Sequence, residues 1–295
     1  MGSIYTMPGI AGRAVRYARS RVRNVLGWGA RLAARRRLKR PRPGRRHGLA
    51  GELIVSLTSY PARYDTLHLT LGCLLDQSLK ADRTILWVAH DDIDELPPQV
   101  RELKRHGLEI RPCEDLRSFK KLIPAIHAFP DAFIVTADDD LYFPANWLET
   151  LVDGVEPGKP AVVCHRAHRR RQSADGRLAP YLEWEFDVQD ERARQPSVDI
   201  MPTSGAGALY PPHSLHPQVR NRALFQRLCP DGDDLWFYWC ARMAGTPIRK
   251  VGGRMMLITW AGSQDQSLWT DNRQGGNDRM IKALIDEYGV ETLEL

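Results

Sequence analysis

Two acidic clusters hold most of the chemistry this chain can offer: Asp138-Asp139-Asp140 and Asp233-Asp234. Before the triplet runs Ala132-Phe133-Ile134-Val135-Thr136-Ala137, a short apolar, partly β-branched stretch that reads as a buried strand. Three carboxylates at the carboxyl end of such a strand raise each other's pKa unless a cation compensates. Ligands of open α/β sheets bind at this edge. Clustered hard oxygens suit Mg2+ or Mn2+, and a partly hydrated ion there can hold a diphosphate. An EF-hand is excluded, because Tyr142, Phe143 and Pro144 stand where that loop needs a ligand, a Gly and a flexible backbone. The pair Asp233-Asp234 opens a helical pattern. One of the two serves as an N-cap, and the other is the candidate general base.

These residues need a scaffold, and the first half of the chain supplies its pattern. Strands are expected at 53–58, 84–89, 108–110 and 132–137, alternating with helices at 64–79, 97–106 and 118–129. Alternation of this kind means a parallel sheet with right-handed crossovers. Pro144 is expected to open the next helix. The second half is less regular, with strands expected at 161–164 and 207–210 and helices at 234–244 and 276–288. No Gly-x-Gly-x-x-Gly follows the first strand and no P-loop is present, which disfavours a dinucleotide-binding domain. Six of the eight tryptophans lie after residue 146, as core or as platforms for sugar rings.

The net charge of +6 conceals a division. Residues 1–50 carry 14 of the 42 Lys and Arg and no acid, so the remainder holds 28 basic against 36 acidic residues, a net of −8. A basic arm thus precedes an acidic body, which argues against nucleic acid as a partner. Residues 13–40 place Val15, Ala18, Val22, Val25, Leu26 and Leu32 at helical spacing, with Tyr17 and Trp28 as interfacial aromatics. This is the pattern of a basic amphipathic helix on an anionic membrane surface; a disordered tail or an organellar transit peptide has similar composition. Pro41-Arg42-Pro43-Gly44 reads as a linker. The five cysteines form no C-x-x-C pair, so a reducing cytoplasm fits, with peripheral attachment at the inner face of the membrane.

An ordered set of motifs carries a family resemblance. Ser-Leu-Thr-Ser-Tyr-Pro-Ala-Arg (56–63) ends the first strand, and Leu75-Asp76-Gln77-Ser78-Leu79 ends the helix after it. Lys120-Lys121-Leu122, Thr136 to Tyr142, Ser204 to Pro212 and Asp233-Asp234-Leu235-Trp236 follow. The set resembles bacterial GT-A-fold glycosyltransferases of the family-2-like, surface-polysaccharide type, over roughly residues 51–290. The resemblance implies an α/β fold: a Rossmann-like, mostly parallel sheet flanked by helices, with a mixed acceptor-binding C-terminal half. It implies an arm and linker at 1–47, a nucleotide-sugar-binding half at 48–145 and an acceptor-binding half at 146–295.

It also implies roles. Thr58, Tyr60 and Arg63 would face a UDP- or GDP-type nucleotide-sugar, approached by Lys121. Asp138 would contact ribose or metal, Asp139 would support it, and Asp140 would hold Mn2+ or Mg2+. Gly205, Gly207 and Trp236 would line the cleft for a saccharide or glycolipid acceptor. Asp233, ahead of Asp234 by a small margin, would deprotonate the acceptor for a single, inverting displacement. Asn277-Asp278 could help close the site. His165 and His168, beside Arg169-Arg170-Arg171, are expected on a surface loop rather than on a metal. No His lies beyond His216 to serve as a third ligand. A nucleotidyltransferase or phosphohydrolase could use the same acidic strand end, although the loop Ser59-Tyr60-Pro61-Ala62-Arg63 is not glycine-rich. A non-catalytic saccharide-binding protein is the third alternative.

Overall fold

A computed structural model describes residues 27–37, 43–260 and 275–293. Seven strands form the central sheet: β1 (Leu53–Thr58), β2 (Arg83–Ala89), β3 (Leu108–Cys113), β4 (Phe133–Ala137), β5 (Val162–Cys164), β6 (Ala208–Tyr210) and β7 (Ile248–Lys250). Their spatial order is β7-β5-β6-β4-β1-β2-β3. Only β6 runs against the rest, antiparallel to both β4 and β5. The helices that matter for the site are α1 (27–37), α2 (Tyr64–Leu75), α3 (Ile123–Ala128), α4 (Trp147–Asp153), α5 (Asp233–Met243) and α6 (Asn277–Tyr288); a further helix at Arg222–Leu228 and shorter turns lie between them. The expected α/β class, a mostly parallel sheet flanked by helices, is what the chain adopts.

The period-2 alternation of strand side chains fills one core on each face. Leu53, Val55 and Leu57 of β1, with Val135 of β4, meet Leu67, Leu71 and Leu74 of α2 and Trp147 and Leu151 of α4. Ile54 and Ile134, on the other face, meet Trp236, Phe237 and Trp239 of α5 and Ile281 and Leu284 of α6.

Several expected boundaries move for local reasons. The helix expected at 64–79 stops at Leu75, because Leu79-Lys80 pairs in parallel with Arg45-Arg46. The helix expected at 118–129 splits into a 3-10 turn, Arg117–Lys121, and α3, with Pro124 in the first turn of α3 where its missing N–H costs nothing. Pro144 does not open a helix; α4 begins at Trp147, whose N–H reaches the Pro144 carbonyl at 3.1 Å. The three-residue β7 and a small antiparallel pair, Ala167–Arg169 with Ile200–Pro202, carry too little periodicity to be anticipated.

The arm is not wholly separate from the body. Ala30 and Ala34 of α1 are buried, and Arg37 is 6% exposed. Its guanidinium pairs with Asp76 at 2.8 Å and donates to the carbonyls of Cys73, Asp76 and Phe143. Trp28 and Leu32 remain exposed, with Arg35 and Arg36 on the same side. The rest of the expected arm helix, residues 13–26 and 38–40, lies outside the described residues, as does Trp269. Among the described residues no helix is long and apolar enough to cross a membrane.

Candidate active site at the carboxyl edge of the sheet

β1 and β4 are parallel neighbours, with Leu57 opposite Ala137, so the segments that follow them emerge side by side. The reversed β6 starts at this same edge, with Ala208 opposite Thr136, so the turn Ser204–Ala206 that precedes it arrives beside Asp138. The amino end of α5 closes the arrangement. Five aspartates separated by about a hundred residues of chain therefore gather around one buried lysine and one arginine.

Lys121 is the hub. Its side chain is 7% exposed, and Nζ lies 2.6 Å from Asp138 Oδ1 and 3.1 Å from Asp233 Oδ2. Burial pulls this ammonium toward neutrality, but Asp138, Asp233 and Asp234 hold it charged and well above the ordinary lysine range. The Asp233 contact is an ion pair without hydrogen-bond alignment, since Oδ2 accepts no bond of good geometry. Asp234 Oδ1 accepts from the Ser204 backbone N–H at 2.9 Å and from the Ser204 hydroxyl. Burial, then the charge of Asp233, pushes the Asp234 carboxyl up to about 6.

Arg63 is the second cation. It ends the turn Pro61–Arg63, and Nη1 bonds Asp140 Oδ2 and lies 3.7 Å from Asp139 Oδ1. Its Nε donates to the Tyr60 hydroxyl at 3.3 Å, and the guanidinium carbon sits 5.8 Å from the Tyr60 ring centre. Asp139 is held in place by Ser59, which donates to its carboxylate, and Thr70, which donates to its carbonyl. Burial, with Asp140 adding to it, nonetheless pushes Asp139 up to about 7. Thr58 donates to the Trp87 carbonyl at 2.9 Å, which fixes the β1 end. The backbone of 258–260 crosses the triplet, with the Trp260 N–H on the Asp140 carbonyl and its indole N–H on Thr70.

Of the expected site residues, Thr58, Tyr60, Arg63, Lys121, Asp138, Asp139, Asp140, Asp233 and Asp234 thus come together, and Gly205 joins them through backbone packing. A Cβ at Gly205 would lie 1.8 Å from Asp138 Oδ2, so the glycine is there for that carboxylate. Gly207 has φ +117, and a Cβ there would fall 2.5 Å from Trp147 Nε1. Both glycines are buried; Gly205 bears on the Asp138 carboxylate and Gly207 on the core residue Trp147.

Trp236 must be corrected outright. It is fully buried and its indole N–H donates to the Val219 carbonyl, so it cannot meet an acceptor. Trp147, Trp184, Trp239 and Trp260 are likewise core residues. Asp278 accepts from the Tyr181 N–H at 2.7 Å. His165 and His168 are buried, not on a surface loop: His165 bonds the Trp147 carbonyl, and burial lowers the two to about 4 and about 3. Arg169 pairs with Glu185 and Asp190, and Arg170 with Asp199. Ser59 and Ser204 escaped sequence reasoning; the only signal was their place inside the two motif stretches.

Among the described residues five carboxylates gather around Lys121 and Arg63, and Asp138 is the open one, with 41% of its side chain exposed. Among the described residues no three His, Cys, Asp or Glu form a closed cage. An ion held by Asp138 and Asp140 would therefore complete its shell with a diphosphate and water, the habit of Mg2+ and Mn2+. A separate cavity of about 470 Å3 opens at the opposite edge, against Pro130, Ile134, Tyr210 and Pro212, and no acidic residue lines it.

No protein-family model and no curated protein sequence matches the chain. Among solved structures it is similar to 4-diphosphocytidyl-2C-methyl-D-erythritol synthase from Anaerococcus prevotii DSM 20548, at 11% identity over 76% of this chain and 96% of the other, with a TM-score of 0.45. It is similar to S. aureus TarS 1-349, at 11% identity over 83% and 74%, with a TM-score of 0.42. The inositol-1-phosphate CTP transferase from T. maritima matches at 12% identity over 80% and 97%, with a TM-score of 0.38. At these identities and scores the similarity says nothing of which reaction this chain performs.

Proposed function

We propose that this chain moves a sugar from a UDP- or GDP-type nucleotide-sugar to an acceptor hydroxyl by a single inverting displacement. One observation carries the reading: the acidic strand end and the acidic helix start converge on Lys121 at the carboxyl edge. Thr58, Tyr60 and Arg63 border the space for the nucleotide. Lys121 and Arg63 offset the negative charge of an approaching diphosphate. Asp138 and Asp140 would hold Mn2+ or Mg2+, which when bound supplies a Lewis acid for the departing diphosphate.

Between the two candidate bases, Asp234 is favoured. Asp233 is spent on Lys121. Asp234 has one oxygen oriented by Ser204, and burial and Asp233 raise it to about 6, near the pH at which a base must be free yet able to take a proton. The acceptor is a saccharide or glycolipid. The exposed Trp28, Leu32, Arg35 and Arg36 of α1 favour presentation at an anionic membrane surface on the cytoplasmic side, with Trp and Leu entering the interface and Arg meeting the lipid charge.

The test is a donor screen by release of UDP or GDP in the presence of acceptor extracts. Asp234→Asn is expected to lower turnover roughly 10²–10⁴-fold, and Asp140→Ala to abolish it in a folded protein. Full activity of Asp140→Ala refutes the proposal. Pyrophosphate as product assigns the site to nucleotidyl transfer instead.

A further inference from the structure

We propose that Arg63 is a built-in counter-ion that competes with a divalent cation for Asp140, and so sets how tightly the acidic edge takes metal. The inference rests on the reading of Asp138 and Asp140 as ion ligands. Two cations among the described residues at this edge, Lys121 and Arg63, differ in their freedom. Lys121 is enclosed between Asp138, Asp233 and Ser204. Arg63 sits at the rim, on a turn outside the sheet, with the Tyr60 hydroxyl and ring beside it.

The guanidinium occupies Asp140 Oδ2, an oxygen that an incoming ion would need. A dication brings two charges where Arg63 brings one, but it must first break a charge-assisted bond in a site where that bond is poorly screened. Arg63 is thus the side chain that yields. Tyr60 offers the released guanidinium a second resting place through the ring face and hydroxyl it already touches. From there it lies next to the space that a diphosphate on the ion would fill, and a planar fork of donors suits phosphate oxygens. The expected behaviour is weak metal binding in the absence of nucleotide, despite three consecutive aspartates.

The experiment is a Mn2+ titration of the full chain without nucleotide, read by the electron paramagnetic resonance of the free aqueous ion. Arg63→Ala is expected to bind Mn2+ at least about tenfold more tightly, a modest outcome for removing one charge in direct contact with a ligand oxygen. Arg63→Lys keeps the charge and should stay near the wild-type affinity. Adding Asp140→Asn to Arg63→Ala should remove the gain. Thermal melting establishes that each variant is folded, and Arg63→Gln replaces Arg63→Ala should the latter fail. Unchanged or weaker Mn2+ binding in a folded Arg63→Ala or Arg63→Gln chain overturns the inference. Tighter Mn2+ binding in a chain that transfers no sugar leaves it standing and removes the proposed reaction instead.

Discussion

Replacing Lys121 by Met keeps most of the side-chain volume and removes the charge on which the site is centred. The ammonium pairs with Asp138 at 2.6 Å and Asp233 at 3.1 Å, and its field reaches Asp234. Breaking a buried ion pair from one side costs about 3–5 kcal/mol, because the partner is left charged and unsolvated. Asp138 is partly exposed and recovers some hydration, so the lower end, about 3 kcal/mol at pH 8, is expected. The penalty depends on pH in a definite direction. Asp234 in the folded chain sits at about 6, raised by burial and by Asp233. The ordinary aspartate value is about 3.9, so the folded state holds the extra proton between the two and stability falls as pH rises across that window. Losing Lys121 pushes Asp234 higher, and each further pKa unit adds about 1.4 kcal/mol of penalty above the new value. Lys121 itself is raised, so its contribution in the wild type is complete below about 10.4 and does not vary between pH 5 and 8. Urea unfolding at pH 5 and pH 8 separates these effects through the change in midpoint at constant slope. Equal midpoints for Lys121→Met and wild type at pH 8, or an identical loss at both pH values, would refute the hub role.

Gly205→Ala should drive Asp138 out of place and cost about 1–3 kcal/mol, as overpacking does; donor binding by calorimetry should fall with it. Arg37→Ala removes three carbonyl contacts as well as the ion pair to Asp76, and should release α1, seen as faster limited proteolysis near residue 37 while the sheet stays protected. The kcat/KM profile should rise with pH through about 6 as Asp234 loses its proton, and this limb should vanish in the residual activity of Asp234→Asn.

The acidic triplet and the parallel half of the sheet were legible because β1, β2 and β4 are largely apolar runs ending in a turn; the edge strand β3, with Glu109 and Arg111, was read only to Ile110. The convergence of Asp233-Asp234 on the triplet followed only from motif order, since nothing local links residues a hundred positions apart. Lys120 is as buried as Lys121 but pairs with Asp115; the contact of Lys121 with both acidic clusters is tertiary and has no local signal. Trp236 was misjudged because a tryptophan near acidic residues has the same sequence appearance whether it faces a sugar or the core. Arg37 shows the same limit: it is one of 14 basic residues in the first 50, and composition cannot mark it as a partner of Asp76.

The reversed strand β6 has an architectural consequence. Because β5 ends and β6 begins at the same edge, the intervening stretch from about residue 165 to 207 leaves the sheet and returns without crossing it. It carries its own strand pair, its own Arg169–Asp190 bond, and Tyr181 near Asp234. It is a canopy sewn to the floor: Ser197 exchanges backbone bonds with Ile248 of β7, the Tyr238 hydroxyl donates to the Val198 carbonyl, and Ser204 and Gly205 at its end brace Asp234 and Asp138.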